Sequence, residues 1–116
     1  MPGEHLNWDD LEWDIPARGV RRKVVHGAGY TLALVELSPD DSPALHAHPH
    51  EQASTVQNGH GVFIVDGRRH PVRSGDVVRI ASNVPHALAV PGPGVVTVLD
   101  VFVPRREEFP ESKRKA

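Results

Sequence analysis

Eleven prolines and ten glycines cut this 116-residue chain into short apolar runs, and no stretch keeps a helical period for long. The runs "GVRRKVV" (19–25), "YTLALVEL" (30–37), "GVFIV" (61–65), "DVVRI" (76–80), "HALAV" (86–90) and "VVTVLDVFV" (95–103) read as strands. "ALHAH" (44–48) reads as a short strand ended by Pro49, which has no N–H to give a ladder. "ASTVQ" (53–57) leads into Asn58-Gly59, and "GVFIV" leads into Asp66-Gly67; both dipeptides predict hairpins. Eight or nine short strands, each bounded by turn residues, predict an antiparallel jelly roll or barrel. "VFIV" and "VVTVL" are too apolar for a one-sided sheet, which suits a closed sandwich.

The length fits one domain spanning 1–116, with its core at about 19–106. With no cysteine, disulfides are excluded and any metal site must use nitrogen and oxygen ligands. Thirteen basic against fifteen acidic residues give a net charge of -2, so no global field points to nucleic acid or a membrane surface. No segment approaches the roughly 20 apolar residues of a membrane span. The N-terminus has no basic, apolar leader pattern, so a cytoplasmic protein is expected. The tail "SKRKA" reads as a solvated, frayed end, and Arg21, Arg22 and Lys23 read as a solvated face or a dimer rim. "PRREEFPESKRKA" is either a helical turn or irregular. Trp8 and Trp13 are placed to cap the barrel or meet a partner subunit, and His5, His26, His60 and His70 read as surface or turn residues.

"PALHAHPHEQ" (43–52) puts His46, His48 and His50 at alternating positions. In a strand, His46 and His48 share a face about 7 Å apart, close enough for both rings to reach one ion. His86, opening a strand after "SNVP", is the natural third ligand, and Gln52 offers a neutral amide oxygen as a fourth. His50 and Glu51 compete for these places; the bend at Pro49 puts His50 at the mouth. On the last strand Asp100 interrupts an apolar run and shares a face with Phe102. A carboxylate there is costly unless it has a task or a partner, and burial would raise its pKa. Arg106, just past Pro104, is placed to fold over the mouth and hold a carboxylate bidentately.

These motifs resemble those of the cupins. "HAHPHEQASTVQNG" matches their first pattern, His-x-His followed by an acid or amide and a glycine, and "GDVVRIASNVPH" matches the second. The resemblance implies an all-β fold, a double-stranded β-helix (jelly-roll barrel). It also implies one divalent metal (nickel, zinc, manganese or iron) held by His46, His48, Gln52 and His86. Many cupins have glutamate where Gln52 stands; a neutral ligand leaves the ion more positive, favouring Lewis acidity over redox work. "HPHEQ" and "DVFVPRR" are similar to the pectin-degradation cupins that linearise unsaturated uronates. That resemblance implies a lyase or isomerase opening a 4,5-unsaturated uronate, with Asp100 as acid/base, Arg106 as carboxylate clamp and Phe102 as stacking wall. It also implies a homodimer, with "YTLALVEL" as the interface. The alternatives on the same barrel are a dioxygenase, a polyketide cyclase or a non-catalytic small-ligand-binding protein.

Overall fold

The computed structural model describes residues 2–116. After a 3-10 turn at Trp8–Asp10 come nine strands: β1 (Asp14–Ala17), β2 (Val20–His26), β3 (Thr31–Leu37), β4 (Glu51–Asn58), β5 (His60–Val65), β6 (Arg68–Arg73), β7 (Val77–Ile80), β8 (His86–Ala89) and β9 (Val96–Val103). They form two antiparallel sheets, ordered β1-β2-β3-β9-β4-β7 and β6-β5-β8. From β4 onward the chain passes repeatedly from one sheet to the other, which is the jelly-roll architecture expected. No helix among the described residues is long and apolar enough to cross a membrane.

Period-two alternation explains how core and site share strands. Along β9 the buried Val96 and Val98 give way to Asp100 and Phe102 on the same inward face. Val96 and Val98 join Val56, Phe63, Val72, Ile80, Leu88 and Val90 in a closed apolar cluster. Burying each such side chain contributes roughly 1.5–3 kcal/mol. Asp100 and Phe102 line a cavity of about 430 Å³ that Phe63, Leu88 and Val98 of that cluster also border.

Four local expectations need correction. The segment 44–48 is not a strand: only His46 pairs, in a two-way bridge with His86 (N···O 3.0 and 2.9 Å). Pro43 and Pro49 bracket it without N–H groups, so no ladder can extend. β1 was not anticipated because it contains Pro16, but it is an edge strand, where proline is tolerated.

Asp66-Gly67 does close the β5–β6 hairpin, with φ of 50° and 76° as a type I′ turn requires. Asn58-Gly59 does not close one: β4 and β5 lie in different sheets. There the chain turns a corner against the start of β9. At Gly59 (φ 87°) a Cβ would sit 2.6 Å from the Val95 carbonyl oxygen. Only glycine fits that approach.

The tail is not frayed. Ser112 N–H donates to the Val24 carbonyl (2.9 Å), Val24 N–H to Ser112 Oγ (2.7 Å), and Lys115 N–H to the Asp10 carbonyl (2.9 Å). The two Ser112–Val24 bonds cover part of the β2 edge that β1 leaves open, and the Lys115 bond joins the tail to the 3-10 turn. The basic run divides by side. Arg21 faces outward and pairs with Glu36, Lys23 is buried beneath the Trp13 ring with its ammonium donating to the Trp8 carbonyl (2.8 Å), and Arg22 points inward. Trp13 thus covers the outer face of β2, and its ring also carries the Arg21 guanidinium (4.1 Å).

Candidate metal centre and pocket

The imidazoles of His46, His48 and His86 converge, with one ring nitrogen from each lying within 4.8 Å of the others. His46 is exposed while His48 and His86 are buried. The bridge between His46 and His86 fixes two of the three. His48 is fixed by its neighbours: its carbonyl accepts from Asn83 N–H (2.8 Å). Convergence therefore comes from a looped segment pinned to β8 and to the β7–β8 loop, not from strand alternation.

Backbone carbonyls set the tautomers. A carbonyl can only accept, so His86 Nδ1 must carry the proton it shares with Val84 O (2.8 Å). The same holds for His48 Nδ1 and His50 O (3.0 Å). Each Nε2 then presents a lone pair, as a metal ligand must. Burial, joined by the positive charge of Arg106, lowers the pKa of all three histidines and keeps the rings neutral.

Two atoms test whether a cation fits. His86 Nε2 is buried and has no hydrogen-bond partner. His48 Nε2 lies 2.9 Å from Gln52 Oε1, so two acceptors face each other at contact distance. Buried polar atoms seldom remain unpartnered, and a divalent ion would satisfy both arrangements at once. The three histidines can thus hold a metal ion, whose identity nitrogen donors alone do not select.

A chain of hydrogen bonds leads away from this centre. Gln52 Nε2 donates to Ser54 Oγ (2.9 Å), and the Ser54 hydroxyl donates to Asp100 Oδ1 (2.6 Å). Burial pushes Asp100 up from 3.8 to about 6, against the opposing pull of the Ser54 and Gln52 bonds and the Arg106 charge. Ser54 was missed in the sequence, although it lies two residues after Gln52 and so on the same face of β4.

Phe102 is buried, with its ring centroid 5.6 Å from that of His48 and 4.9 Å from the Arg106 guanidinium carbon. Arg106 does fold over the pocket. Its N–H donates to Thr31 Oγ1 (2.9 Å), its Nε donates to Glu108 Oε2 (2.9 Å), and its side chain is 15% exposed. His46, Gln52, His86, Asp100, Phe102 and Arg106 line one cavity, and His48, outside that lining, meets it through Gln52 (2.9 Å) and the His86 ring (4.9 Å between centroids).

His50 contributes through its carbonyl; its ring sits 5.6 Å from that of His48 with Nδ1 buried and unpartnered. Glu51 is exposed and lies on the side of β4 away from this cavity. His26 is not an idle turn residue: its Nε2 donates to the Phe109 carbonyl and its Nδ1 bonds Thr31 Oγ1, both at 2.7 Å.

Known proteins share this architecture. The sequence profile described as Cupin domain matches residues 33–102. An RmlC-like cupin from Shewanella frigidimarina is 25% identical, with a TM-score of 0.81 over 93% of this chain and 97% of that one. KdgF from Halomonas sp. is 23% identical, with a TM-score of 0.82 over 91% and 97%. The polyketide cyclase RemF from Streptomyces resistomycificus is 18% identical, with a TM-score of 0.77 over 98% and 86%. No curated protein sequence matches the chain.

Proposed function

The chain belongs to the cupin family, and we propose that it is a metal-dependent, non-redox lyase or isomerase that opens the ring of a small carboxylated sugar, of which a 4,5-unsaturated uronate is the type. The observation that carries this reading is the cavity itself. It gathers His46 and His86 of the histidine cluster, a buried carboxyl reached through Gln52 and Ser54, an apolar aromatic wall and the Arg106 guanidinium. His46, His48, His86 and the Gln52 amide oxygen are the proposed ligands. A divalent cation held there supplies Lewis acidity toward a substrate hydroxyl or carbonyl oxygen.

The residues of the chain account for the rest. Among the described residues Arg106 has no partner for its terminal nitrogens while Glu108 holds its Nε, so it can take a substrate carboxylate end-on. Phe102 presents an apolar ring for the sugar face. Ring opening needs a proton removed from the anomeric hydroxyl, cleavage of the C1–O5 bond, and a proton delivered to C4 to leave a ketone at C5. The formula is unchanged, so one carboxyl cycling between its two states suffices, and Asp100 is that group. Ser54 holds one Asp100 oxygen, leaving the other for the substrate.

The test follows the ultraviolet absorbance of the conjugated double bond in 4,5-unsaturated galacturonate. Wild type should accelerate its loss, while Asp100→Asn, folded and metal-loaded, should not. Wild-type rates equal to buffer, or equal rates for the two proteins, refute the reading.

The reading extends to a homodimer. Val25, Leu32, Val101 and Ala53 are register neighbours in one half-buried row across four strands, on the outer face of the large sheet. Leu32 comes from the segment that the sequence singled out for the interface, and a second copy would cover the row.

A further inference from the structure

We propose that the pocket holds a second anion-recognition point built on Arg22, and that the substrate is a dianion whose far charge this residue binds. The proposal rests on the reading of Arg106 as a carboxylate clamp and adds a second charge to the substrate class.

Arg22 occupies an inward position of β2, between Val20 and Val24, and lines the same cavity as the histidines and Arg106. Its side chain is only 14% exposed. An arginine facing into a barrel is costly unless its charge is used. Arg22 and Arg106 are held alike. Arg22 Nε donates to Asp14 Oδ2 and Arg106 Nε to Glu108 Oε2, both at 2.9 Å. Each guanidinium carbon lies 4.1 Å from the centre of the Phe109 ring. The two cations are therefore at most twice that distance apart, within the span of one small molecule.

Neither guanidinium uses its terminal nitrogens on a partner among the described residues, and neither is sealed from solvent there. Stitching β1 to the tail would need only the Asp14 bond and the stack on Phe109. It would not need a free fork opening into the cavity beside a second one. Two like charges around one aromatic ring repel, and an anion bridging or flanking them relieves that cost. Their positions differ: the Arg106 guanidinium carbon lies 4.9 Å from the Phe102 ring, whose centroid is 5.6 Å from that of His48, whereas Arg22 is held by Asp14 on the edge strand β1. Arg106 thus serves the end of the substrate near the reacting carbons, and Arg22 the end toward solvent. The far group is a carboxylate of an adjoining uronate unit or a phosphate ester; both offer a planar or tetrahedral oxyanion to a guanidinium fork.

Calorimetric titration of the metal-loaded protein with three saturated, unreactive ligands tests this: glucuronate, digalacturonate and glucuronate 1-phosphate. Wild type should bind one of the latter two, each of which carries a second anionic group, roughly 10- to 100-fold more tightly than glucuronate. Which of the two it is identifies the source of the far charge. Arg22→Met keeps the stem over Phe109 and should reduce that ratio to about threefold or less. Arg22→Lys should recover part of it, and thermal melts confirm that each variant is folded. Equal wild-type affinity for all three, no binding of any, or a uniform loss in Arg22→Met overturns the proposal. Turnover of the unsaturated monouronate without a dianion preference sinks only this inference. A dianion preference without turnover sinks only the assigned reaction.

Discussion

Replacing Asp100 by asparagine should abolish turnover and, at the same time, make the metal-free protein more stable at alkaline pH. The carboxyl titrates near 3.8 when exposed and at about 6 in the folded chain. Below the lower value both states are protonated and folding is unaffected. Between the two, the unfolded chain ionises first, so folding must take up a proton and stability falls as pH rises. Above about 6 the full penalty applies. A shift of about two units corresponds to about 3 kcal/mol.

Asparagine carries no charge and can accept the same Ser54 bond. Its amide N–H₂ lacks an assigned acceptor, which takes back about 1 kcal/mol. The net gain is about 2 kcal/mol, or roughly 6–12 °C in Tm for a domain of this size. Gln52 and Ser54 on β4 and Arg106 on the tail face Asp100, with Ala33 beside it on β3 and His46 and His86 lining the same cavity. All of them remain in the variant, so subtracting melts of the two chelator-treated proteins at each pH cancels most of their titration. The difference should be largest near about pH 8 and reverse sign near about pH 4, where a carboxyl penalty of about 0.5 kcal/mol no longer offsets the cost of the unpaired amide. A variant that melts at or below wild type at high pH, or a gain independent of pH, refutes the argument that burial strains this carboxyl.

His86→Ala removes the buried nitrogen that has no other partner. Elemental analysis of protein purified without chelating resin should show about one metal per wild-type chain, with affinity lowered at least 10- to 100-fold in the variant; equal metal content would dissolve the centre. Leu32→Glu puts a charge into the outward apolar row. Sedimentation should shift from dimer to monomer with the melt nearly unchanged, and a wild-type monomer removes the interface.

Much of the fold was legible because its turns are made by residue chemistry. Asp66-Gly67 demands a positive φ at both positions, and the chain obeys. Asn58-Gly59 carries the same signal but does different work, because a local dipeptide says nothing of which sheet receives the next strand. The site was legible for a related reason. His46, His48, Gln52 and His86 stand in recognisable spacing, and Asp100 is conspicuous in an apolar run. Yet the premise that 44–48 is a strand failed while the convergence held, since the bridge to His86 does what a ladder would have done. Arg22, Phe109 and His26 were illegible because their meaning depends on where the last residues of the chain lie. No periodicity encodes that path.

That path divides the pocket into two halves with different mechanical support. The histidines and the Gln52–Ser54–Asp100 chain stand on strands or loops bonded to the barrel. Phe109 and the guanidinium of Arg106 stand on a strap beyond β9, which the Ser112–Val24 bonds and three further side chains tie down. His26 bonds the Phe109 carbonyl and Thr31, Thr31 Oγ1 accepts from Arg106 N–H, and Glu111 accepts from His26 N–H (3.1 Å). The half that holds Asp100 thus stands on the barrel itself, and the half proposed for recognition rests largely on the strap, through these polar contacts and the packing of Phe109 against Val24, Ala33 and Phe102. A site divided in this way can change its substrate by altering the strap and the Arg22–Phe109–Arg106 stack without disturbing the core behind Asp100. The barrel alone therefore identifies no one chemistry, and under the proposed function the substrate is read from the two guanidiniums and the ring between them.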